Sequence, residues 1–252
     1  MDFDFTDDQE SLRDAVRKWV DKGYDFERRG SLVKAGGFSR EAYGELAALG
    51  LSGLYIPEDD GGLGMGPVEG MVVMEELGRG MVLEPFAQTL IAGAVLSGYA
   101  PEAVKSGWLP KIASGESLVV LAYQERAARY HFDKCEAKAT QVQGGWALTA
   151  IKNIVPAGDQ ADAFIVPAMA DGQMALFLVE RTAVGVNTRG YVTQDGARAA
   201  DLTLDNAPAS LITLEGLGAL AHAIDIGIAA TCAEAVGVMD KTLAVTVEYM
   251  NT

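Results

Sequence analysis

The sequence predicts an α+β protein with segregated layers: amino-terminal helices, a middle antiparallel β domain, and the start of a second helical domain. Three observations carry this. Apolar residues recur three or four apart through the first part of the chain. Near Ser117 that period falls to two, and turn dipeptides such as Gly144-Gly145 and Asp171-Gly172 separate the runs. From Leu217 the helical period returns. The expected domains are 1–116, 117–213 and 214–252.

The first helix opens at Thr6, where Gln9 stands three residues on to complete a capping box, and Asp7, Asp8 and Glu10 suit the positive end of the helix dipole. Leu12, Val16, Trp19 and Val20 fall on one face, which is the core face. A second helix is predicted from Ser39 through Leu46 and Leu49 to a Gly50 cap. Pro57 to Gly66 reads as a turn-rich loop, and Pro67 as the first residue of a third helix carrying Val68, Met71, Val72, Glu75 and Leu77. Further helical patterns run from Gln88 to Leu96 and from Pro101 towards Trp108.

In the β domain, from Ser117 to about Ser210, Gly144-Gly145 joins KATQV to WALTAI and Asp171-Gly172 joins AFIVPAM to MALFLVE. Both are hairpin signals, because primed turns need positive φ. No helical crossover separates the strands, so an antiparallel sheet is predicted. The final helix carries Leu220, Ile224, Ile228, Cys232, Val236, Met239, Leu243, Val247 and Met250 at helical spacing with no terminator after them. A chain cut short, or completed by another chain, is the expectation.

Composition narrows the function classes. Among 252 residues, 49% are hydrophobic and 22% charged, enough apolar material for a core. A formal net charge of -15, with no local Lys/Arg cluster, speaks against nucleic acid as a partner. Cys135 and Cys232 are too far apart in sequence to suggest a zinc site or a disulfide framework, and are expected as buried free thiols. Met1 to Asp8 is acidic and lacks a secretory pattern, and no uninterrupted apolar run reaches the roughly 18 residues of a membrane span. A cytoplasmic protein without membrane contact is expected. GGLGMG at 61–66 lacks the strand-to-helix setting of a phosphate cradle, and His131 and His222 join no nucleophile or metal set.

Three segments carry a more specific signal. PEDDGGLGMGPVEGMVVMEELGR is similar to the acyl-CoA dehydrogenase segment PEEYGGLG followed by a helix ending in EELGR. WLPKIASGES leading into LVVLAYQE resembles YLPKLASGE and the TEPGAGSD flavin loop after it. AIKNIVPAGDQADAFIVPA resembles GEKTWITNGxxADxFVVxA, with Lys152, Gly158, Ala161 and Asp162 matching. TDDQESLRDAVRKWV agrees with that family's first helix. The order and spacing of all three segments match, over essentially the whole chain.

The resemblance implies a middle β-barrel followed by a helical bundle, FAD as cofactor, and α,β-dehydrogenation of an acyl-CoA thioester in fatty acid β-oxidation. A carboxylate would take the α proton, hydride would pass to the flavin, and an electron-transfer flavoprotein would reoxidise it. It also implies a homo- or hetero-oligomer, and the YQERAARY loop resembles that of small subunits of pimeloyl-CoA-type dehydrogenases. Carried over, the cofactor-binding positions are Tyr123, Gln124, Glu125, Tyr130, Ile154, Val155 and Pro156. Several depart from the family pattern. Gln124 replaces a hydroxyl residue, Tyr130 a Ser near a phosphate, Ile154 the stacking Trp, and Pro156 a Thr whose N–H it cannot supply. Gln88 to Ala92 fall by analogy near the acyl pocket. The main catalytic base is expected beyond residue 252. A minority position falls near Gly227, where Asp225 is the nearest acid. Two alternatives stand beside this reading: a flavin-free assembly subunit, and an acyl-CoA oxidase.

Overall fold

The computed structural model describes residues 4–251, so Met1 to Phe3 and Thr252 lie outside it. Helix α1 (Asp7–Gly23) starts on the predicted capping box: the Gln9 N–H donates to Thr6 Oγ1 at 3.2 Å, and the Thr6 N–H to Gln9 Oε1 at 3.0 Å. Val16 and Val20 are buried, with Leu12 and Trp19 packed beside them. The sequence reading passed over α2 (Phe26–Ala35), which buries no residue and so has no apolar stripe to announce it. Its one sequence signal is the Asp25 cap, whose side chain accepts from the Arg28 N–H at 2.7 Å. Helix α3 (Arg40–Ala48) begins on the Ser39 cap, and Gly50 follows it with φ +80°.

Glycines 61–66 act structurally. The N–H groups of Gly61, Gly62, Leu63, Gly64 and Met65 donate to the carbonyls of Glu58, Pro57, Gly53, Ile56 and Leu54, and that of Gly66 to Glu69 Oε2. No donor is left to cradle a phosphate. A Cβ on Gly62 would overlap the Ile56 backbone, so the glycine lets the loop fold back on its own stem.

Helices α4 (Pro67–Gly80), α5 (Phe86–Tyr99) and α6 (Glu102–Ala113) complete the amino-terminal layer. Glu76 of α4 is fully buried between two arginines, with Arg17 of α1 donating at 2.6 Å and Arg79 at 3.1 Å. This ion pair network joins α1 to α4.

The strands are β1 (Val119–Leu121), β2 (Lys138–Val142), β3 (Gly145–Pro156), β4 (Ala163–Ala170), β5 (Gln173–Glu180), β6 (Val186–Val192) and β7 (Arg198–Thr213). Their pairings close a ring, β4–β2–β3–β7–β5–β4, with β1 added on β4 and β6 on β7. This is the barrel, filled by Leu148, Phe164, Val166, Phe177, Val179 and Leu202 among others. Both predicted hairpins form, with Gly144, Asp171 and Gly172 at positive φ. The sheet departs from a purely antiparallel one in two places: β1 runs parallel to β4, Val119 opposite Ala163, and β2 meets β4 in a single parallel bridge. The crossover that a parallel pair needs is made by the 122–137 loop and the β2–β3 hairpin in place of a helix.

Helix α7 (Gly216–Met250) crosses back over α4 and α5. Its buried residues are Gly216, Ala219, Leu220, Ala223, Ala230, Ala233 and Gly237, whereas Ile228, Val236, Met239, Leu243, Val247 and Met250 are exposed. Small residues make the packing face, in place of the predicted stripe of large ones, because α4 approaches so closely. A Cβ on Gly237 would overlap the Glu75 carbonyl, and one on Gly78 the Glu234 carbonyl. By length and composition alone α7 could cross a membrane; its buried residues all lie between Gly216 and Gly237. Both cysteines are free, but neither is buried as expected: Cys135 is half-buried and Cys232 exposed.

Candidate active site

A cavity of about 390 Å³ opens where the end of β1, the end of β3, α5 and α7 meet. Leu121, Tyr123 and Gln124 line it from the chain leaving β1, and Asn153, Ile154 and Pro156 from β3. Gln88 and Ile91 project from α5, and Ala223, Ile224, Gly227, Ile228, Thr231 and Cys232 from α7. The walls are mostly aliphatic, with amides and a phenol at the edges. None of the lining residues carries a carboxylate, an imidazole or an amine.

Two backbone N–H groups tie the walls of β1, α5 and β3 together. The Leu121 N–H donates to Gln88 Oε1 at 2.9 Å, tying β1 to α5, and the Asn153 N–H donates to the Gln124 carbonyl at 2.9 Å, tying β3 to the loop. The Gln124 amide lies 3.3 Å from the Tyr123 hydroxyl, to which it donates. The register of β3 against β7 breaks between Lys152 and Val155. Within that bulge Ile154 takes φ +53° and is 58% exposed. A β-branched residue is strained there, and such strain collects at functional sites.

Behind the wall lies a buried ion pair. Lys152 is fully buried, and its Nζ donates to Glu125 Oε1 at 2.6 Å and to the Pro167 carbonyl at 2.8 Å. Glu125 also accepts the N–H groups of Glu136 at 2.6 Å and Ala137 at 3.2 Å. Burial raises the Glu125 carboxyl, but Lys152 and these two N–H groups outweigh it and hold the group below the usual carboxylate value. Cys135 sits beside the pair, and burial pushes its thiol up.

Of the carried-over positions, Tyr123, Gln124, Ile154 and Pro156 come together on the cavity. Glu125 turns away from it to meet Lys152. Val155, 1% exposed, belongs to the barrel core, where β3 regains its register against β7. Tyr130 is fully exposed and lines an adjoining shallow cleft with Arg126 and Arg129. Asp225 is exposed and does not line the cavity. The helical period brings Ile224, Gly227, Ile228 and Thr231 to that face and turns Asp225 out of it. Gln88 and Ile91 line the cavity as the resemblance implied, whereas Asn153, Thr231 and Cys232 had no signal in the sequence.

Residues 6–116 match the family model of the acyl-CoA dehydrogenase N-terminal domain. Through that segment the chain is similar to the acyl-CoA dehydrogenase family. Over its whole length it is 28% identical to the acyl-CoA dehydrogenase FadE27 of Mycobacterium tuberculosis, of which it covers 67%. Over 74% of its length it is 27% identical to the benzylmalonyl-CoA dehydrogenase of Aromatoleum aromaticum, of which it covers 50%. The chain thus spans half to two-thirds of these relatives. Among solved structures, the ChsE4-ChsE5 complex from Mycobacterium tuberculosis matches with a TM-score of 0.89 at 26% identity, covering 100% of this chain and 69% of that one. A glutaryl-CoA dehydrogenase from Mycobacterium smegmatis in complex with FADH2 shares the fold, with a TM-score of 0.89 at 23% identity over 97% of this chain and 66% of that one. The acyl-CoA dehydrogenase fold therefore runs beyond the N-terminal domain, through the barrel and into α7.

Proposed function

We propose that this chain forms the cofactor-facing wall of an FAD-dependent acyl-CoA dehydrogenase that oxidises an acyl-CoA thioester between its α and β carbons. The observation that carries the reading is the cavity at the barrel–helix junction. Its aliphatic walls suit the faces of a planar ring system, and the Gln88 and Gln124 amides and the Tyr123 hydroxyl suit that ring's polar rim. FAD, when bound, supplies the hydride acceptor that no side chain can. Tyr123 and Gln124 would orient it by hydrogen bonds, Ile154 and Pro156 would lie against its face, and Ile91, Leu121, Ile224 and Ile228 would exclude water.

Proton abstraction needs a base, and the cavity lining holds none. In this reading the base is supplied by a group outside the cavity lining, on a segment or subunit that closes over it. Electron-transfer flavoprotein as the electron acceptor and a homo- or hetero-oligomeric assembly complete the proposal. Hetero-oligomers are supported by the likeness to the ChsE4-ChsE5 complex.

The same missing base, together with Pro156 at a position that offers no N–H, favours a second reading: a flavin-free subunit that completes its partner. Titrating the purified protein with FAD and recording the visible spectrum separates the two. A shifted, resolved flavin band supports the first; a spectrum equal to that of free FAD up to high protein concentration supports the second.

A further inference from the structure

We infer that Glu125 and Lys152 are positioning residues: their buried ion pair clamps the two polypeptide walls of the cavity, the 123–130 loop and the β3 bulge, at a fixed separation. The inference rests on the proposed function only for what the cavity binds, not for the clamp itself.

The pair sits between the two segments that have least regular structure at the site. Glu125 is flanked by Gln124, which lines the cavity, and Lys152 by Asn153, which lines it too. The loop has no strand partner along 123–130, and β3 loses its register against β7 just after Lys152. Besides the pair, the Asn153 N–H to Gln124 carbonyl bond is the direct polar link between the two segments. Lys152 reaches further, donating to the Pro167 carbonyl of β4, while Glu125 accepts from Glu136 and Ala137 at the approach to β2. Four separate stretches of chain converge on two side chains that are 0% and 6% exposed.

Buried charges of this kind contribute little net stability over an apolar pair of the same volume, yet they enforce one geometry, since any shift leaves a charge without its partner. The positively strained Ile154 lies two residues beyond Lys152. Its conformation persists only if its neighbours are held, and Lys152 is the neighbour anchored on the far side.

The test uses three variants: Lys152→Arg, Lys152→Met, and the double variant Glu125→Gln with Lys152→Met, which leaves no buried charge unpaired should the single variant fail to fold. Hydrogen–deuterium exchange is followed in peptides covering 122–130 and 152–157, with peptides from α4 and β5 as internal references. In the double variant the two wall segments are expected to exchange on the order of tenfold faster or more, with α4 and β5 unchanged. Exchange equal to the natural protein, or raised evenly throughout, would overturn the clamp and leave the pair a general stability element. An FAD titration of the same proteins adds a spectroscopic readout. The double variant is expected to bind at least about tenfold more weakly, or with an altered band shape, and Lys152→Arg to recover most of the loss. If the natural protein takes up no flavin, the proposed function fails while the exchange result still decides the clamp.

Discussion

Gly78 and Gly237 form a reciprocal contact at the crossing of α4 and α7. Each lies against the backbone carbonyl found three residues before the other, Gly78 against Glu234 and Gly237 against Glu75. Neither carbonyl can move without breaking its own helix. Gly237→Ala and Gly78→Ala are therefore expected each to destabilise by about 1–3 kcal/mol, the usual cost of overpacking. Gly30→Ala in α2, where a methyl would meet nothing within 4 Å, is expected to stabilise by about 0.5–1 kcal/mol. Urea unfolding of the three variants gives the comparison.

Glu76 has two arginine partners and no exposure, so losing it takes the nearest carboxylate from both Arg17 and Arg79 and leaves Arg79, 15% exposed, to its longer pairs with Asp21 and Asp240 at 3.7 Å. Glu76→Ala is expected to cost about 3–5 kcal/mol. Arg17→Met leaves Arg79 in place, removes a partly exposed group and should cost less, about 1.5–3 kcal/mol. Melting of the two variants in parallel shows whether this order holds.

Stability should depend on pH through two buried carboxylates of opposite behaviour. Burial raises Glu84, and the Tyr24 hydroxyl and Ser39 N–H offset this only in part. The folded state thus holds that proton longer than the unfolded chain, and Glu84 lowers stability as pH rises from about 4.3, the ordinary glutamate value, through its folded value. Glu125 is held low, so its contribution is complete above the ordinary value and disappears as pH falls through its folded value. Glu84→Gln is expected to be more stable than the natural protein at neutral pH and to lose that advantage in acid. Denaturant midpoints measured across the range test the sign.

Ile154 combines strain with a place on the cavity wall. Ile154→Asn, a residue that tolerates positive φ, is expected to raise stability by about 1 kcal/mol. The same change removes an aliphatic surface from the proposed ring site and should weaken FAD binding. Thermal melts and an FAD titration of one sample read both effects, which must move in opposite directions.

Gly227 keeps the α7 side of the cavity open. A methyl there would stand 3.4 Å from Ile91 Cδ1, an ordinary contact. Gly227→Ala should gain up to about 1 kcal/mol from helix propensity. Gly227→Leu should keep the fold but fill the space, and a titration with FAD should show weaker binding than in the natural protein if the cavity holds the ring as proposed.

Much of the fold is legible in the sequence, because local signals determine it. Thr6 and Gln9, Ser39, Pro67, Gly144-Gly145 and Asp171-Gly172 each mark an element end with a chemistry that works over a few residues. What escapes is non-local. The parallel pairing of Val119 with Ala163 spans a long connection, and α2 packs so lightly that it leaves no apolar period. The face of α7 was misread because hydrophobic size signals burial only where neighbours leave room for it. At the site, Tyr123, Gln124, Ile154 and Pro156, which the resemblance names, line one cavity, but resolving them from Glu125 and Val155 needed the side-chain directions. Asp225 illustrates the limit: proximity in sequence put it beside Gly227, and the helix turned it away.

Closing the barrel also decides how the sheet meets its surroundings. Among the described strands, β1 and β6 each keep an edge without a neighbouring strand, and β2 keeps most of one, since it meets β4 at a single bridge. That of β1 is overlaid by α5, where Gln88 takes the Leu121 N–H, and that of β6 is short and carries a charged residue, Arg189, that pairs with Asp201 at 2.7 Å. The edge of β2 is polar, running through Lys138, Thr140 and Gln141, so a strand from another molecule meets short or polar borders, which disfavours intermolecular β-pairing. The large apolar side chains that α7 exposes offer a surface for association of another kind.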